Sequence, residues 1–581
     1  MCGIAGEIDI SFGAKKNNSF LNNLCHRGPH NSPVLKINKK ICFYHTRLKI
    51  IDLSNLSNQP MTSKDKRYII SYNGELYNYL EIKKKLILKG YKFYTSGDTE
   101  VFLTGFIEYG IKFFEMINGI FAVSLFDKKK NLLYLARDFI GVKPLYYNHS
   151  ENRLIFASEL KAIVNQMSNI PKLNRGLLNE YLFYKYNSGS ETLIKNIHKF
   201  SPGNVYIFHI GKKKIELNKK KFYKFKETTS NLSLFDTVEN TKTLLNQSLS
   251  LQLQSDANLG IQLSGGIDST LITHIACKKQ KIRNLYFSTF KKFIKDEFEY
   301  ANLVAKRLNI NFKTVELNKK FFFKNFRNSI YFLDEPLNHP HSLAIYQIAK
   351  AAKKNISVIL SGEGADEIFY GYERYKDINE NSSADRLIRN GAFLRTNDDI
   401  RLYKLFSSNS YGDPHFERNK ILKGINVEDN LTKFQLFETQ THLQSLLLRS
   451  DKMMMSSSIE ARVPYLDKNL FNFSLNINKN IKKNNEQKIV LKKILSDLGY
   501  TKKFIERKKV GYIVPYNNWI KLKKNFKKDL KNEVLVNLFD KENLDKLSVN
   551  LSKKKNIYSN AKFYWLLTNL NEYVKIFRIN Y

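Results

Sequence analysis

The chain is poor in cysteine, short of acidic residues and without a long apolar run. Its four cysteines, Cys2, Cys25, Cys42 and Cys277, lack CxxC spacing, which argues against a disulfide scaffold or a zinc knuckle. No uninterrupted apolar stretch reaches the ~18 residues of a membrane span, and mean hydropathy is −0.40. The opening MCGIAGEIDI has neither a basic start nor an extended apolar segment, so no signal peptide is read there. A soluble, reducing, cytoplasmic setting with no membrane partner is expected. The 54 Asp+Glu residues face 95 Lys+Arg, a net charge of +41. The lysine runs at 83–85, 128–130, 212–214, 219–221 and 553–555 are scattered. They form no single basic block with interleaved aromatics, so compositional drift toward lysine explains the charge better than a nucleic-acid partner does. With 43% hydrophobic and 26% charged residues the chain is not mostly disordered. Its 581 residues exceed one hydrophobic core and suggest two or three large units.

No internal repeat or long Pro/Gly/Ser linker divides the chain, but its texture changes near 203–235. Before that point short strand-like runs dominate, RYIISY at 67–72, FAVSLFD at 121–127, LLYLARD at 132–138 and RLIFAS at 153–158. Turn residues separate them, as in packed antiparallel sheets. Helical patterns fall near 76–89 and 100–109. After it, LGIQL (259–263), LYFSTF (285–290), FKTVEL (312–317) and SVIL (357–360) alternate with helical stretches, which predicts a parallel sheet with ligands at the strands' carboxyl ends. From about 430 onward the pattern is mainly helical.

Cys2 follows the initiator Met1. Removal of the methionine would leave a thiol and an α-amine on one residue, and an amine of pKa about 7.7 to 8.0 can act as its general base. A lone cysteine at position 2 would mean little. Here CGIAG (2–6), HRGP (26–29), HTRLKIIDLS (45–54), NQP (58–60), YNGELYN (72–78), SGDTE (96–100) and RDFIGVKPLYY (137–147) follow in order. Together they resemble the class II glutamine amidotransferase domain, a sandwich of antiparallel sheets. The resemblance implies that Cys2 attacks the glutamine carboxamide and forms a thioester, and that Arg47 grips the substrate carboxylate. Asp98 would accept bonds from its ammonium, Asn73 and Gly74 would form the oxyanion hole, and Glu75 would help hold the glutamine. On the Asn73–Gly74 dipeptide alone a hairpin turn is the stronger reading. His30 departs from the family, which usually has Asp after HRGP.

In the second half SGGIDS (264–269) sits at a strand-to-helix junction, where glycines let the backbone approach a phosphate and helix N–H groups donate to it. Both the Walker pattern and the GxGxxG fingerprint are absent. The loop resembles that of ATP pyrophosphatases. With LSGEGADEIFYGY (360–372) and DKMMMSSSIEARVPYLD (451–467), this half resembles the synthetase domain of glutamine-dependent asparagine synthetases. That resemblance implies ATP as a substrate held by Leu263, Ser264, Gly265, Gly266, Asp268, Ser269, Thr289, Ser361 and Gly362. It implies Mg²⁺ on Asp268 and Asp366 and catalytic roles for Glu363 and, through EQKIVLKKIL (486–495), for Lys488. Arg449, Glu460 and Arg462 would lie on the acid-substrate side of the cleft. RKKVGYIVPYNNW (507–519) continues the likeness, whereas Thr289–Phe290 stands where the family often has a β-branched residue followed by Gly.

The expected fold class is therefore an α+β N-terminal nucleophile sandwich of antiparallel sheets followed by an α/β parallel-sheet synthetase domain with a helical extension. Residues 2–205 are read as the glutaminase domain, 206–235 as a connecting segment, 236–525 as the synthetase domain and 526–581 as a helical C-terminal extension. The expected reaction joins ammonia from glutamine to an AMP-activated carboxylic acid, first L-aspartate and otherwise another acid such as a surface-polysaccharide uronic acid. A tRNA-modifying protein using the same loop is the rival of another class; it makes an N-terminal glutaminase superfluous. The partners implied are small molecules (glutamine, aspartate and ATP) with no nucleic acid, and a homodimer is one assembly the architecture allows.

Overall fold

A computed structural model describes every residue except 1, 229, 291–296, 311, 380, 483–485, 508–513 and 522–524. Two six-stranded antiparallel sheets build the first half. One runs in the order His198–Lys199, Tyr146–His149, Arg153–Ala157, Gly3–Asp9, Ile41–Thr46, Val34–Lys36. The other runs Ile215–Lys221, Asn204–Ile210, Leu132–Arg137, Gly119–Asp127, Tyr68–Leu76, Met61–Thr62. Period-two alternation sorts their side chains. Along Gly119–Asp127, Ala122 and Phe126 face the other sheet with Ile4, Ile8, Phe43 and Phe156. Phe121, Val123 and Leu125 face outward onto the helices Tyr79–Leu88 and Asp98–Tyr109, packed on Ile82, Leu86, Val101 and Phe102.

The expected connecting segment from 206 is a correction. Asn204–Ile210 and Ile215–Lys221 form a hairpin laid antiparallel on Leu132–Arg137, so these residues complete the second sheet. The lysines of the outer strand, exposed from Glu216 onward, occupy a sheet edge, where charge discourages pairing with another chain. That polarity is what makes the strand look like a linker in sequence.

The second half carries a five-stranded sheet in the order Phe312–Glu316, Leu285–Thr289, Leu259–Gln262, Val358–Leu360, Glu460–Arg462, parallel throughout. The last strand, three residues long, was not anticipated. Helices follow to the end, and Ile557–Ile576 buries Trp565 against Phe322, Phe326 and Tyr516. The final helices thus belong to the body of the second half. Tyr181 of the first half donates to the Leu566 carbonyl at 2.9 Å, and one apolar cluster contains side chains of both halves.

A buried ionic network also ties the halves together. Arg27 is 0% exposed. It meets Glu159 at 2.7 Å and Asp451 at 2.9 Å, and its Nε donates to the Cys2 carbonyl at 3.1 Å. Lys452 and Lys161 each pair with both Glu159 and Asp334. Removing Arg27 takes charged hydrogen bonds from two buried carboxylates, which keep Lys161, Lys452 and Lys143 as partners, a loss of about 1–3 kcal/mol. Arg27→Met is expected to lower unfolding stability by about that amount in chemical denaturation, because Glu159 and Asp451 both lose a fixed cation.

Candidate active sites

The glutamine-side residues come from four places, three of them where the two sheets face each other and the fourth, Asp98, at the start of a helix. Cys2 precedes the first strand, Arg47 follows Ile41–Thr46 on the same sheet, and Asn73, Gly74 and Glu75 lie inside Tyr68–Leu76 of the other. The Cys2 backbone N–H donates to Asn73 Oδ1 at 3.0 Å, a bond between the sheets. Asn73 and Gly74 are not a hairpin turn, because they pair with Ala122 and Phe121 in mid-strand. Gly74 is needed for close approach: a Cβ there would stand 2.1 Å from the Ile120 carbonyl oxygen. The Asn73 Nδ2 amide is buried with no hydrogen-bond partner among the described residues, a donor held ready beside the Cys2 backbone.

Cys2 is 7% exposed. Burial pushes its thiol upward, opposed by a Leu48 backbone bond and the nearby Arg47. Arg47 itself braces residues 52–58, donating to the Ser54 carbonyl at 2.6 Å, Asn58 Oδ1 at 2.8 Å and the Asp52 carbonyl at 2.5 Å. His30 lies alongside and accepts from the Lys49 N–H at 3.0 Å. Glu75 is buried, and its carboxylate is 3.4 Å from Arg462 of the second half. Burial and then Glu460 push it upward, against Arg462.

Asp98 opens the helix Asp98–Tyr109 and accepts from the Leu76 N–H at 2.8 Å. Burial pushes it up to about 6, the Leu76 bond opposes this and Glu460 adds to it. A raised carboxylate pKa means that the ionised form is lost as pH falls through about 6. If Asp98 grips an ammonium, kcat/KM for glutamine should fall about tenfold per pH unit below that point. Ammonia-supported turnover, corrected for free ammonia, should show no such limb.

The nucleotide-side residues line a cavity of about 820 Å³ at the carboxyl ends of the parallel strands. Ser264, Gly266, Asp268, Ser269, Ser361, Gly362, Glu363, Asp366, Arg449 and Lys488 all reach its wall. The Ser264 and Ser269 hydroxyls are 2.9 Å apart, and the Gly266 N–H donates to Ser264 Oγ at 3.3 Å. Gly265 has φ +82°, and a Cβ there would meet the Glu297 carbonyl oxygen at 2.8 Å; only glycine fits this turn without strain. The helix Ile267–Lys279 starts beyond it with no side-chain cap, leaving first-turn N–H groups directed at the cavity mouth. Asp268 and Asp366 lie in the first turns of their helices, not at the caps.

Lys488 bridges the two carboxylates. Its Nζ is 2.6 and 2.5 Å from the Asp268 oxygens and 2.6 Å from Asp366 Oδ1. The two acids therefore converge on one cation, a donor set that fits a divalent ion sharing phosphate oxygens and water. Among the described residues no group of three or more His, Cys, Asp or Glu could hold a metal by itself. Glu363 lies 3.5 Å from Arg449.

Some expected residues take other places. Leu263, 0% exposed, and Thr289, 2%, are packed beneath the cavity and not on its wall, and Gly265 shapes the loop from behind. Glu460 and Arg462 bond to each other at 2.6 Å at the junction with Glu75 and are not on the cavity wall. Residues 508–513 of the RKKVGYIVPYNNW segment, like Met1, lie outside the described residues. Arg507 bonds to the Gly265 carbonyl and lies over the Tyr300 ring at 3.8 Å. Sequence reasoning missed the anchoring role of Arg27, although it quoted HRGP, and it missed Lys185, Arg374, Arg395 and Lys562 on the cavity wall; nothing in their local sequence marks them. The two sites are joined by the edge strand Glu460–Arg462. The Arg462 side chain reaches Glu75, and its carbonyl accepts from the Ser361 N–H at 3.0 Å.

Residues 1–223 match the family model of a glutamine amidotransferase domain, and residues 240–574 match that of asparagine synthase. Among known proteins, the chain is 28% identical to asparagine synthetase (glutamine-hydrolyzing) 1 of Bacillus subtilis over 86% of this chain and 84% of that protein. It is 29% identical to synthetase 3 of the same organism over 94% and 93%. It is 32% identical to the putative asparagine synthetase (glutamine-hydrolyzing) 2 of Methanocaldococcus jannaschii over 64% and 76%. With its second match spanning more than half of the sequence behind an amidotransferase domain, the chain belongs to the asparagine synthase family.

Proposed function

We propose that the protein is a glutamine-hydrolysing, AMP-forming amide synthetase with two cooperating sites. The observation that carries this reading is one strand, Glu460–Arg462, touching Glu75 beside the oxyanion pair and Ser361 at the cavity. Removal of Met1 turns the nitrogen now bonded to Asn73 into an amine able to take the Cys2 proton. The sulfur attacks the glutamine carboxamide carbon, Asn73 Nδ2 and the Gly74 N–H hold the developing oxyanion, and the C–N bond breaks to release ammonia. Water then hydrolyses the thioester to glutamate. Arg47 and Asp98 hold the two ends of the amino acid, with Glu75 at its amide side.

At the cavity a carboxylate oxygen attacks the α-phosphorus of ATP and pyrophosphate leaves. The Ser264–Ser269 loop, Ser361 and Gly362 position the nucleotide, with Leu263 and Thr289 supporting the loop from below. Asp268 and Asp366 would hold Mg²⁺, which supplies charge neutralisation on the phosphates. Lys488 meets the departing pyrophosphate, and Glu363 takes a proton as ammonia displaces AMP from the acyl carbon. With L-aspartate as the acid, as the names of the relatives suggest, the products are asparagine, glutamate, AMP and pyrophosphate. A second reading, another carboxylic acid in place of aspartate, is favoured by the cationic lining of the cavity developed below. Incubation with amide-labelled glutamine, ATP, Mg²⁺ and a panel of acids should place the label in one new amide with stoichiometric AMP. Label found only as free ammonia with every acid, in folded and ATP-binding protein, would refute the proposal.

A further inference from the structure

The same cavity has a wall whose positive charge its own carboxylates do not neutralise. Lys185, Arg374, Arg395, Arg449 and Lys562 line it, with His339, His341 and His442. Three of the cations are matched: Arg374 pairs with Glu438, Arg449 with Glu363 at 3.5 Å and Lys562 with Asp399 at 2.7 Å. Among the described residues no carboxylate lies within ion-pair distance of Lys185 or Arg395. Lys185, 7% exposed, comes from the first half, just beyond the helix Leu178–Tyr184. Its Nζ contacts the His339 ring and lies 4.8 Å over Phe393, whose ring also has the Lys562 ammonium at 5.3 Å. Arg395 donates Nε to the Ala392 carbonyl at 3.0 Å. Among the described residues, His442 Nδ1 and Arg449 Nε are buried without hydrogen-bond partners.

Such a wall lacks an anion. Burial and four surrounding cations push Lys185 well below its ordinary range, and burial together with Lys185 and Arg449 lowers all three imidazoles. The phosphates of ATP have their own donors at Ser264–Ser269 and Lys488, so these groups remain for the other substrate. An α-amino acid would bring an ammonium to this wall, where the nearby carboxylates already have partners: Glu363 is engaged by Arg449 at 3.5 Å, and Glu367 accepts from the Tyr372 hydroxyl at 2.8 Å. Lys185 is buried and Arg395 is exposed on the cavity wall; two cations with no carboxylate of their own can hold a dianionic phosphate between them.

We propose that Lys185 and Arg395 bind a second anionic group of the acceptor, so that the acid amidated carries a phosphate ester or diphosphate, as a nucleotide-linked sugar acid does. This rests on the reading of the chain as an AMP-forming amide synthetase and names its substrate class. The wall lies inside a cavity and contains buried Lys185 and Arg449, so it receives a small molecule and not a polymer backbone.

The test is ATP–pyrophosphate exchange, which needs neither glutamine nor ammonia, with L-aspartate, D-glucuronic acid, its 1-phosphate and UDP-glucuronic acid as probes. The phosphorylated acids should support exchange at a KM at least about 100-fold below that of free glucuronic acid. The 1-phosphate acting as well as the UDP sugar assigns the site to the phosphate alone; the UDP sugar acting better assigns the nucleotide a share. Lys185→Gln and Arg395→Gln should each raise the KM of the phosphorylated acids roughly 10- to 100-fold, leaving the KM of ATP and glutaminase turnover unchanged. Should buried Lys185 prove essential for folding, Arg395→Gln carries the test alone. Exchange driven as readily by L-aspartate as by the phosphorylated acids, or variants that raise the KM of ATP in parallel, overturns the proposal and leaves the AMP-forming reading standing. If no acid supports exchange, titration calorimetry of UDP-glucuronic acid into ATP-loaded enzyme decides. Binding weakened by Arg395→Gln keeps the anion site and removes the AMP-forming reading, and absence of binding removes the anion site.

Discussion

Cys2→Ala should lose glutamine-dependent amide formation by a factor on the order of 10⁴ or more, the range seen when a covalent nucleophile is deleted. Ammonia-dependent synthesis should stay within about twofold of wild type, because Cys2 does not line the second cavity and sites that share no partners add nearly independently. The structure makes the separation sharp. Cys2 Sγ belongs to the sandwich interior, whereas the backbone atoms that Arg27 and Asn73 bind, the carbonyl and the N–H, survive the change. The Arg27–Asp451 tie to the synthetase half is therefore intact in the variant. Parallel loss of both activities, measured as AMP formation with glutamine and with ammonium chloride, would mean that the halves do not divide the labour as proposed.

Asp268→Ala should act in the opposite sense. Pyrophosphate release should fall by about 10²–10³-fold, the usual cost of removing one preorganised electrostatic group from a charge-developing site. Glutamine hydrolysis assayed without acid or ATP should be retained. Two of the three short contacts of Lys488 are to Asp268, so the variant releases the lysine as well as removing a ligand for the proposed Mg²⁺. Asp366 still pairs with the ammonium, so the charge is not orphaned and folding should survive. Raising Mg²⁺ should recover part of the rate if Asp268 is a metal ligand and none of it if the residue only orients Lys488. Unimpaired ATP cleavage would count against both roles.

The residues proposed to touch reacting atoms were named from short motifs and the resemblance those motifs carry. Cys2, the YNGEL strand and SGGIDS combine residue types whose chemistry is local: a thiol beside an amine, a glycine where backbone must come close, hydroxyls at the start of a helix. The strand-like runs RYIISY and FAVSLFD marked parts of Tyr68–Leu76 and Gly119–Asp127, each of which has one face on the opposing sheet and one on the helices. Where neighbours at long range set the outcome, the reading erred. The hairpin Asn204–Lys221 looked like a linker because its outer strand is a lysine-rich edge. Glu460–Arg462 was invisible as a strand because three residues carry no periodicity.

The amino-acid sequence, through motifs that resemble two known domains, was enough to place a glutamine amidotransferase domain ahead of an asparagine synthase domain. It could not say which charges are buried. Arg27, Glu159, Asp334 and Asp451 meet across as many as 424 positions of sequence, and Lys185 crosses from one half to line the other's cavity. A charged side chain reads as solvent-facing until packing removes the water and supplies, or withholds, its counter-charge. That difference, made by the tertiary structure, separates the ion pairs that bind the halves together from the unmatched cations left for a substrate.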